Sequence, residues 1–226
     1  MIVLIITAVR IKSMDSHRIS GRILAENIAG PGMMRLVEQS MQAQAQKTSV
    51  TEIAVKEWKH PQAALTFDDG PDIRYTPLLL DGLKERNVRA SFFLLGEKVE
   101  QYPELVERMQ KEGHLVGNHT YHHVQLNKLN ETKAREEILK TNNLIYETTG
   151  VYPLYLRPPF GAWKKNLELC VEMLPVFWTI DTLDWKVKNT EKIVRTVKEQ
   201  IEDGAIILMH DEYDTLLKRR CRLSMN

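Results

Sequence analysis

The chain has 226 residues, 43% of them hydrophobic, which is enough for one substantial core and favours one domain, or two at most. Its formal charge is +1, so nothing in it calls for nucleic acid or an acidic partner. The two cysteines, Cys170 and Cys221, form neither a C-x-x-C pair nor a disulfide framework, and they leave the redox compartment open.

The run from Met1 to Val9 is apolar but too short to span a bilayer as an ordinary helix. No basic region precedes it, as one would in a secretory signal. Two readings stay open: the end of a membrane anchor, or a buried strand. Residues 13–60 read as a lead-in, with a Gln-rich stretch from Arg35 to Gln46 that suits a short amphipathic helix or a linker. The organisation expected is therefore a lead-in over 1–60 and one catalytic domain over 61–226.

From Ala63 onward, strand-like and helix-like runs alternate. Ala63–Phe67 predicts a buried strand. Thr76 and Pro77 predict a helix start, with Thr76 as N-cap and Pro77 in the first turn. Ala90–Leu95 is the next strand. Pro103 opens a second helix that Gly113 ends, and His114–Gly117 is a short strand. Asn130 caps a longer helix reaching about Thr149. Leu154–Leu156 reads as a strand, Lys165–Leu174 as a helix and Val176–Ile180 as a strand. Thr190 is expected to cap a helix carrying Ile193, Val194, Val197 and Ile201, and Ala205–Met209 is a near-continuous apolar strand. Strands that are apolar without alternation are buried on both faces, which implies a parallel sheet flanked by helices. In such folds chemistry collects at the strand C-termini. Asp68-Asp69, His119, the stretch Asp181–Asp184 and His210 each follow a strand, so all can meet at one rim.

Two adjacent carboxylates, Asp68 and Asp69, sit between an apolar run and Gly70-Pro71. Taken alone they also fit a turn. His119 and His123 are four residues apart, and on a helical turn both rings would face one ion, with His122 pointing elsewhere. One Asp with two His suits a catalytic zinc with open positions, and leaves the second Asp as a base.

Five stretches in order carry a family resemblance: Thr66-Phe67-Asp68-Asp69-Gly70, His119-Thr120-Tyr121-His122-His123, Arg157-Pro158-Pro159-Phe160-Gly161, Asp181-Thr182-Leu183-Asp184-Trp185 and Leu208-Met209-His210. With them the chain resembles the polysaccharide deacetylase family, the NodB-homology domain of carbohydrate esterase family 4. The resemblance implies an irregular (β/α) barrel and a hydrolase of linear amides that uses one divalent metal ion, Zn2+ or Co2+, to remove acetyl groups from sugars. It implies Asp68 as general base, with Asp69, His119 and His123 as metal ligands. Arg157 would hold Asp68, and the backbone N–H of Phe160 would help form the oxyanion hole. His210 would be the general acid, oriented by Asp184, with Trp185 and Leu208 walling the acetyl pocket. Many relatives carry Tyr where this chain has Phe160, a change that keeps a main-chain donor and loses a hydroxyl.

After His210-Asp211 the family usually adds a helix and a strand, whereas here a basic tail runs to Asn226. The last βα unit therefore looks absent, and the first strand is expected to lack a neighbour unless Ile2–Val9 fills the gap. The expected substrate is an N-acetylglucosamine-containing glycan, peptidoglycan first, with chitooligosaccharides or acetylxylan as alternatives. An inactive truncated glycan-binding domain is the rival of another class. A monomer is expected, outside the cell or in its envelope, with membrane association through the N-terminus and no nucleic-acid partner.

Overall fold

The computed structural model describes residues 61–163, 171 and 173–212. The N-terminal lead-in with Ile2–Val9, most of the helix expected over 165–174, and the basic tail lie outside these residues. The described chain alternates strands and helices. These are β1 (Ala63–Asp68), α1 (Thr76–Glu85), β2 (Ser91–Leu94), α2 (Gly96–Gln101), α3 (Pro103–Lys111), β3 (Leu115–Asn118), α4 (Glu131–Thr149) and β4 (Tyr155–Leu156). They continue as β5 (Leu174–Pro175), β6 (Ile180–Asp181), α5 (Asp184–Val187), α6 (Thr190–Gln200) and β7 (Ala205–His210).

All seven strands are parallel, in the order β5-β4-β3-β2-β1-β7-β6. This is the irregular (β/α) barrel expected, open among the described residues between β5 and β6. β1 has a neighbour on each side, β2 and β7, and pairs with β7 along all six residues. The expectation that the first strand stands at an open edge is therefore not met, because the six apolar-rich residues of β7 occupy that place. The opening falls elsewhere, where the strands are only two residues long. The strand expected over Val176–Ile180 is not formed as such: residues 176–179 lie outside strands, Leu174, expected to end a helix, joins Pro175 in pairing with β4, and Ile180–Asp181 pairs with β7. Residues between them cross from one sheet edge to the other.

The side-chain period of two sorts the strands. Phe67, Phe92, Leu94, Ile207 and Met209 face the helices and form the main core with Leu80, Leu83, Val106, Met109 and Ile145. Phe67 and Phe92 stack with centroids 5.3 Å apart. Burying each such side chain contributes roughly 1.5–3 kcal/mol, which makes this layer the source of rigidity. Thr66, Asp68, Leu208 and His210 lie on the other face, inside the barrel. A second cluster of Leu126, Ala134, Ile138 and Leu156 seats α4 beside β3 and β4.

The caps follow the sequence with two differences. Asn130 accepts from Lys133 N at 2.9 Å and α4 reaches Thr149, both as expected, and Gly150 follows with φ 71°. The α6 cap is Asn189, one residue before Thr190; its Oδ1 accepts from Lys192 N at 3.0 Å, a job Asn does at least as well as Thr. Thr76 does not cap α1. Its hydroxyl accepts from Asp72 N and donates to Asp211 Oδ2, both within 2.7 Å, so it joins the loop after β1 to the end of β7.

Candidate active site

Strand register brings the motifs to one rim. Asp68 ends β1 level with His210, the last residue of β7, while Asn118 ends β3 opposite Leu94 and Leu156. Parallel strands whose registers align their C-terminal ends thus deliver both carboxylates and His119 to the same edge.

At that edge Asp69, His119 and His123 each offer one ligand atom, all within 4.8 Å of one another. Both histidine Nε2 atoms are 3.3 Å from Asp69 Oδ1. Asp69 Oδ1 is buried and accepts no hydrogen bond, a costly state for a carboxylate oxygen unless a cation completes it. Burial opposes ionisation of Asp69, yet the His119 contact and the charges of His119, His123 and His210 together hold its pKa down at about 2. Burial also pushes His123 below its ordinary value, toward the neutral form that has a lone pair to give. His119 Nδ1 donates to the Arg157 carbonyl oxygen at 2.6 Å, which turns the Nε2 lone pair toward Asp69. An anionic oxygen and two imidazole nitrogens converging on one point fit a divalent cation with open coordination positions.

The histidine pair is not helical. Residues 119–125 form an irregular loop in which Thr120 and His123 have φ of 67° and 55°. The i, i+4 spacing works because these two left-handed residues fold the loop back, not because a helix turn stacks the rings. The rings sit 5.1 Å apart. Asp69 (φ 71°), Phe160 (φ 61°) and Leu183 (φ 52°) share this conformation, so five of the seven described non-glycine residues with positive φ belong to the site. Each costs roughly 1–3 kcal/mol and persists only where the surroundings over-determine it.

Asp68 is buried and held by one cation. Arg157 Nη1 donates to Asp68 Oδ1 and to Thr66 Oγ1, both at 2.7 Å, while Asp68 Oδ2 lies 3.7 Å from His119 Nε2. The guanidinium itself is fully buried, stacked 4.1 Å over the Phe93 ring. Burial lowers its pKa, and the Asp68 carboxylate works against that. Its Nε and Nη2 donate to the carbonyls of Val176 and Phe177, the segment crossing the barrel opening.

Across the rim, Asp184 grips His210 twice. Its Oδ1 accepts from His210 Nδ1 at 2.7 Å, and its Oδ2 from His210 N at 2.8 Å. Burial disfavours the imidazolium, but the Asp184 hydrogen bond and charge, with Asp69 and Asp68 behind them, raise the His210 pKa above its ordinary value. His210 Nε2 faces Asp69 Oδ2 at 3.9 Å.

The expected substrate-contacting residues occupy three settings. Phe160 is 62% exposed, with its ring 4.6 Å from that of His123. Trp185, next to Asp184 in α5, is half-exposed. Leu208 is buried one pleat below His210, inside the barrel. Several supporting residues escape sequence reading. Asn118 Nδ2 donates to the Ile138 carbonyl and to Asn142, and its Oδ1 accepts from Thr120 N at 2.7 Å. Glu137 accepts from the backbone of the histidine loop. His122 turns away from the cluster, toward Glu137, an outcome expected from a helical turn but reached here by the irregular loop.

The model of the family described as polysaccharide deacetylase matches residues 56–176. The chain is 44% identical over 152 residues to a peptidoglycan-N-acetylglucosamine deacetylase of Bacillus cereus, covering 66% of this chain. It spans only 55% of that protein's length. It is 36% identical to a chitooligosaccharide deacetylase of Bradyrhizobium, with 70% of this chain and 74% of that one covered. Among solved structures, the peptidoglycan deacetylase PdaC from Bacillus subtilis superposes with a TM-score of 0.67 at 41% identity, over 70% of this chain and 78% of that one. The chain belongs to the polysaccharide deacetylase family.

Proposed function

We propose that the chain is a metal-dependent deacetylase that hydrolyses the N-acetyl group of N-acetylglucosamine units in a glycan, peptidoglycan first among them. The observation that carries this reading is the convergence of Asp69, His119 and His123 within 4.8 Å, beside Asp68 on one side and the Asp184–His210 pair on the other. The named activities of the B. cereus and B. subtilis relatives support peptidoglycan, and that of the Bradyrhizobium protein supports chitooligosaccharides as the alternative.

Asp69, His119 and His123 would hold the cation. When bound, Zn2+ or Co2+ supplies Lewis acidity toward a water and toward the acetyl carbonyl. Asp68 then takes a proton from the attacking water through Oδ2, since Oδ1 is committed to Arg157. The backbone N–H of Phe160 donates to the oxyanion, its position fixed by the preceding prolines. His210 gives a proton from Nε2 to the leaving amine, while Asp184 holds Nδ1–H and keeps the ring charged and aimed. Leu208 and Trp185 line the side on which the acetyl methyl sits. An inactive binding domain would not need these pairings kept together.

Among the described residues no helix is long and apolar enough to cross a membrane. A peptidoglycan substrate would place the protein's action outside the cell or in its envelope, where we propose that it acts as a monomer. Acetate release should be measured from peptidoglycan, chitin oligosaccharides and acetylxylan, with and without a chelator. Chelator-sensitive release, fastest on peptidoglycan, is expected; release from none of the three would sink the reading.

A further inference from the structure

Glu137 lies on the second turn of α4, fourteen residues beyond the last histidine of the cluster. Its Oε2 accepts from Tyr121 N at 3.0 Å and from His122 N at 2.8 Å, and its Oε1 accepts from His122 Nδ1 at 2.8 Å. Tyr121 and His122 are the two residues between Thr120 and His123, the pair in left-handed conformation. The same loop is tied from its other side, where the Thr120 and Tyr121 carbonyls accept from Gly96 N and Glu97 N at the start of α2. One carboxylate therefore takes both inner N–H groups of a segment whose outer residues are strained and whose two end histidines converge on Asp69. Side-chain and main-chain donors meet at a Glu137 side chain only 15% exposed, with the His122 ring, 59% exposed, covering it from the solvent side.

We infer that Glu137 is the positioning residue of the metal centre: its carboxylate holds the Tyr121-His122 backbone so that His119 and His123 present their Nε2 atoms to one point. This rests on the metal-site reading above. The energy of the loop's strained residues is offset by bonds to groups outside the loop, and Glu137 supplies three of them. Without it the loop relaxes and the two imidazoles lose their common focus. Asp69, placed by β1, stays where it is. His122 serves the same end from the surface, closing the carboxylate's second oxygen.

The test measures affinity for zinc on the full chain, by competition with a chromophoric chelator, for the wild type, Glu137→Ala, Glu137→Gln, Glu137→Asp and His119→Ala. Removal of such an outer partner raises the zinc Kd about 10–100-fold, and Glu137→Ala is expected to show this. The melting temperature of its metal-free form should stay close to wild type, because α4 keeps its core contacts through Ala134 and Ile138. Glu137→Gln retains one oxygen that can take both backbone N–H groups, so it should recover most of the affinity. The cobalt-loaded absorption spectrum should change in Glu137→Ala and be restored in Glu137→Gln. A wild-type zinc Kd in Glu137→Ala, with or without a lower melting temperature, would overturn the inference and leave Glu137 a plain helix–loop tie. If Glu137→Ala does not fold, Glu137→Asp decides: its carboxylate is one methylene too short to reach both N–H groups, so its zinc Kd should exceed the wild-type value, and equality would reject the proposal. Failure of the wild type to bind zinc more tightly than His119→Ala would overturn the metal centre itself, and this inference with it.

Discussion

The carbonyl oxygen of Arg157 accepts a 2.6 Å hydrogen bond from His119 Nδ1, while the guanidinium of the same residue holds Asp68. One residue thus sets the tautomer of His119, a proposed metal ligand, through its backbone and the position of Asp68, the proposed base, through its side chain. Geometry of ligand and base are coupled by construction, and a displacement of β4 moves both.

The metal ligands come first. His119→Ala or His123→Ala should abolish tight zinc binding and deacetylation together, because in the proposed site each supplies one of three protein ligands. Chelator should inactivate the parent protein, and added zinc or cobalt should restore it. Full turnover in excess chelator would remove the cation from the mechanism.

Asp68→Asn should keep the metal and lose about 10²–10⁴-fold in kcat, the span for a positioned base. Metal content by emission spectroscopy and acetate release on the same sample check this. Loss of metal in this variant would mean that Asp68 and Asp69 exchange roles.

Activity against pH tests the Asp184–His210 pair. As the proposed general acid His210 would act in its charged form, and its pKa is raised, so activity should persist above the ordinary histidine range and fall only as pH passes the raised value. Asp184→Asn removes the largest of the raising influences and should shift the alkaline limb to lower pH. His210→Ala should hurt amide substrates more than aryl acetates, whose leaving group needs no proton. Equal losses on both would reject His210 as the acid.

Arg157 is a buried cation facing a buried anion. Removing it as Arg157→Met leaves Asp68 uncompensated and should lower stability by about 3–5 kcal/mol in denaturant unfolding. A loss under about 1 kcal/mol would place the pair in the class of solvent-screened surface bridges.

Asp211 gives the folded protein its own pH dependence. It is fully enclosed, and burial raises its pKa to about 7, against which the Thr76 hydroxyl and Lys98 act. A carboxyl raised in the folded state favours folding when protonated. That contribution is complete below the unfolded pKa near 4 and is lost as pH rises through about 7. Asp211→Asn should flatten the decline in melting temperature between pH 4 and pH 7; an unchanged profile would mean that Asp211 is ionised throughout.

Much of the rim was legible because each motif follows an apolar run, and a run that ends in Asp or His has its chemistry at a strand terminus. Asp68, Asp69, His210 and Asp184 needed only that rule and a parallel sheet. The histidine loop was legible in content and not in shape: spacing of four mimics a helix, whereas left-handed backbone at Thr120 and His123 does the folding. Glu137 was illegible, because on α4 it reads as one more solvated helix charge among Glu131, Glu136 and Glu147. Helix α2 was hidden by its Gly96 start and the stronger signal of Pro103. The crossing between β5 and β6 left no trace in Val176–Ile180, which is apolar enough for one strand, yet its residues 176–179 span from one sheet edge to the other outside any strand.

The left-handed residues of the rim have a bearing on how this protein can be altered. Glycine adopts their conformation without penalty. Replacing Leu183 or Thr120 by glycine would relax the backbone while freeing the loops that aim His210 and the histidine pair. Stability and function therefore pull in opposite directions at these sites. A thermostable descendant should gain its increments in the helices outside the sheet. A search guided by melting temperature alone would erode the rim first.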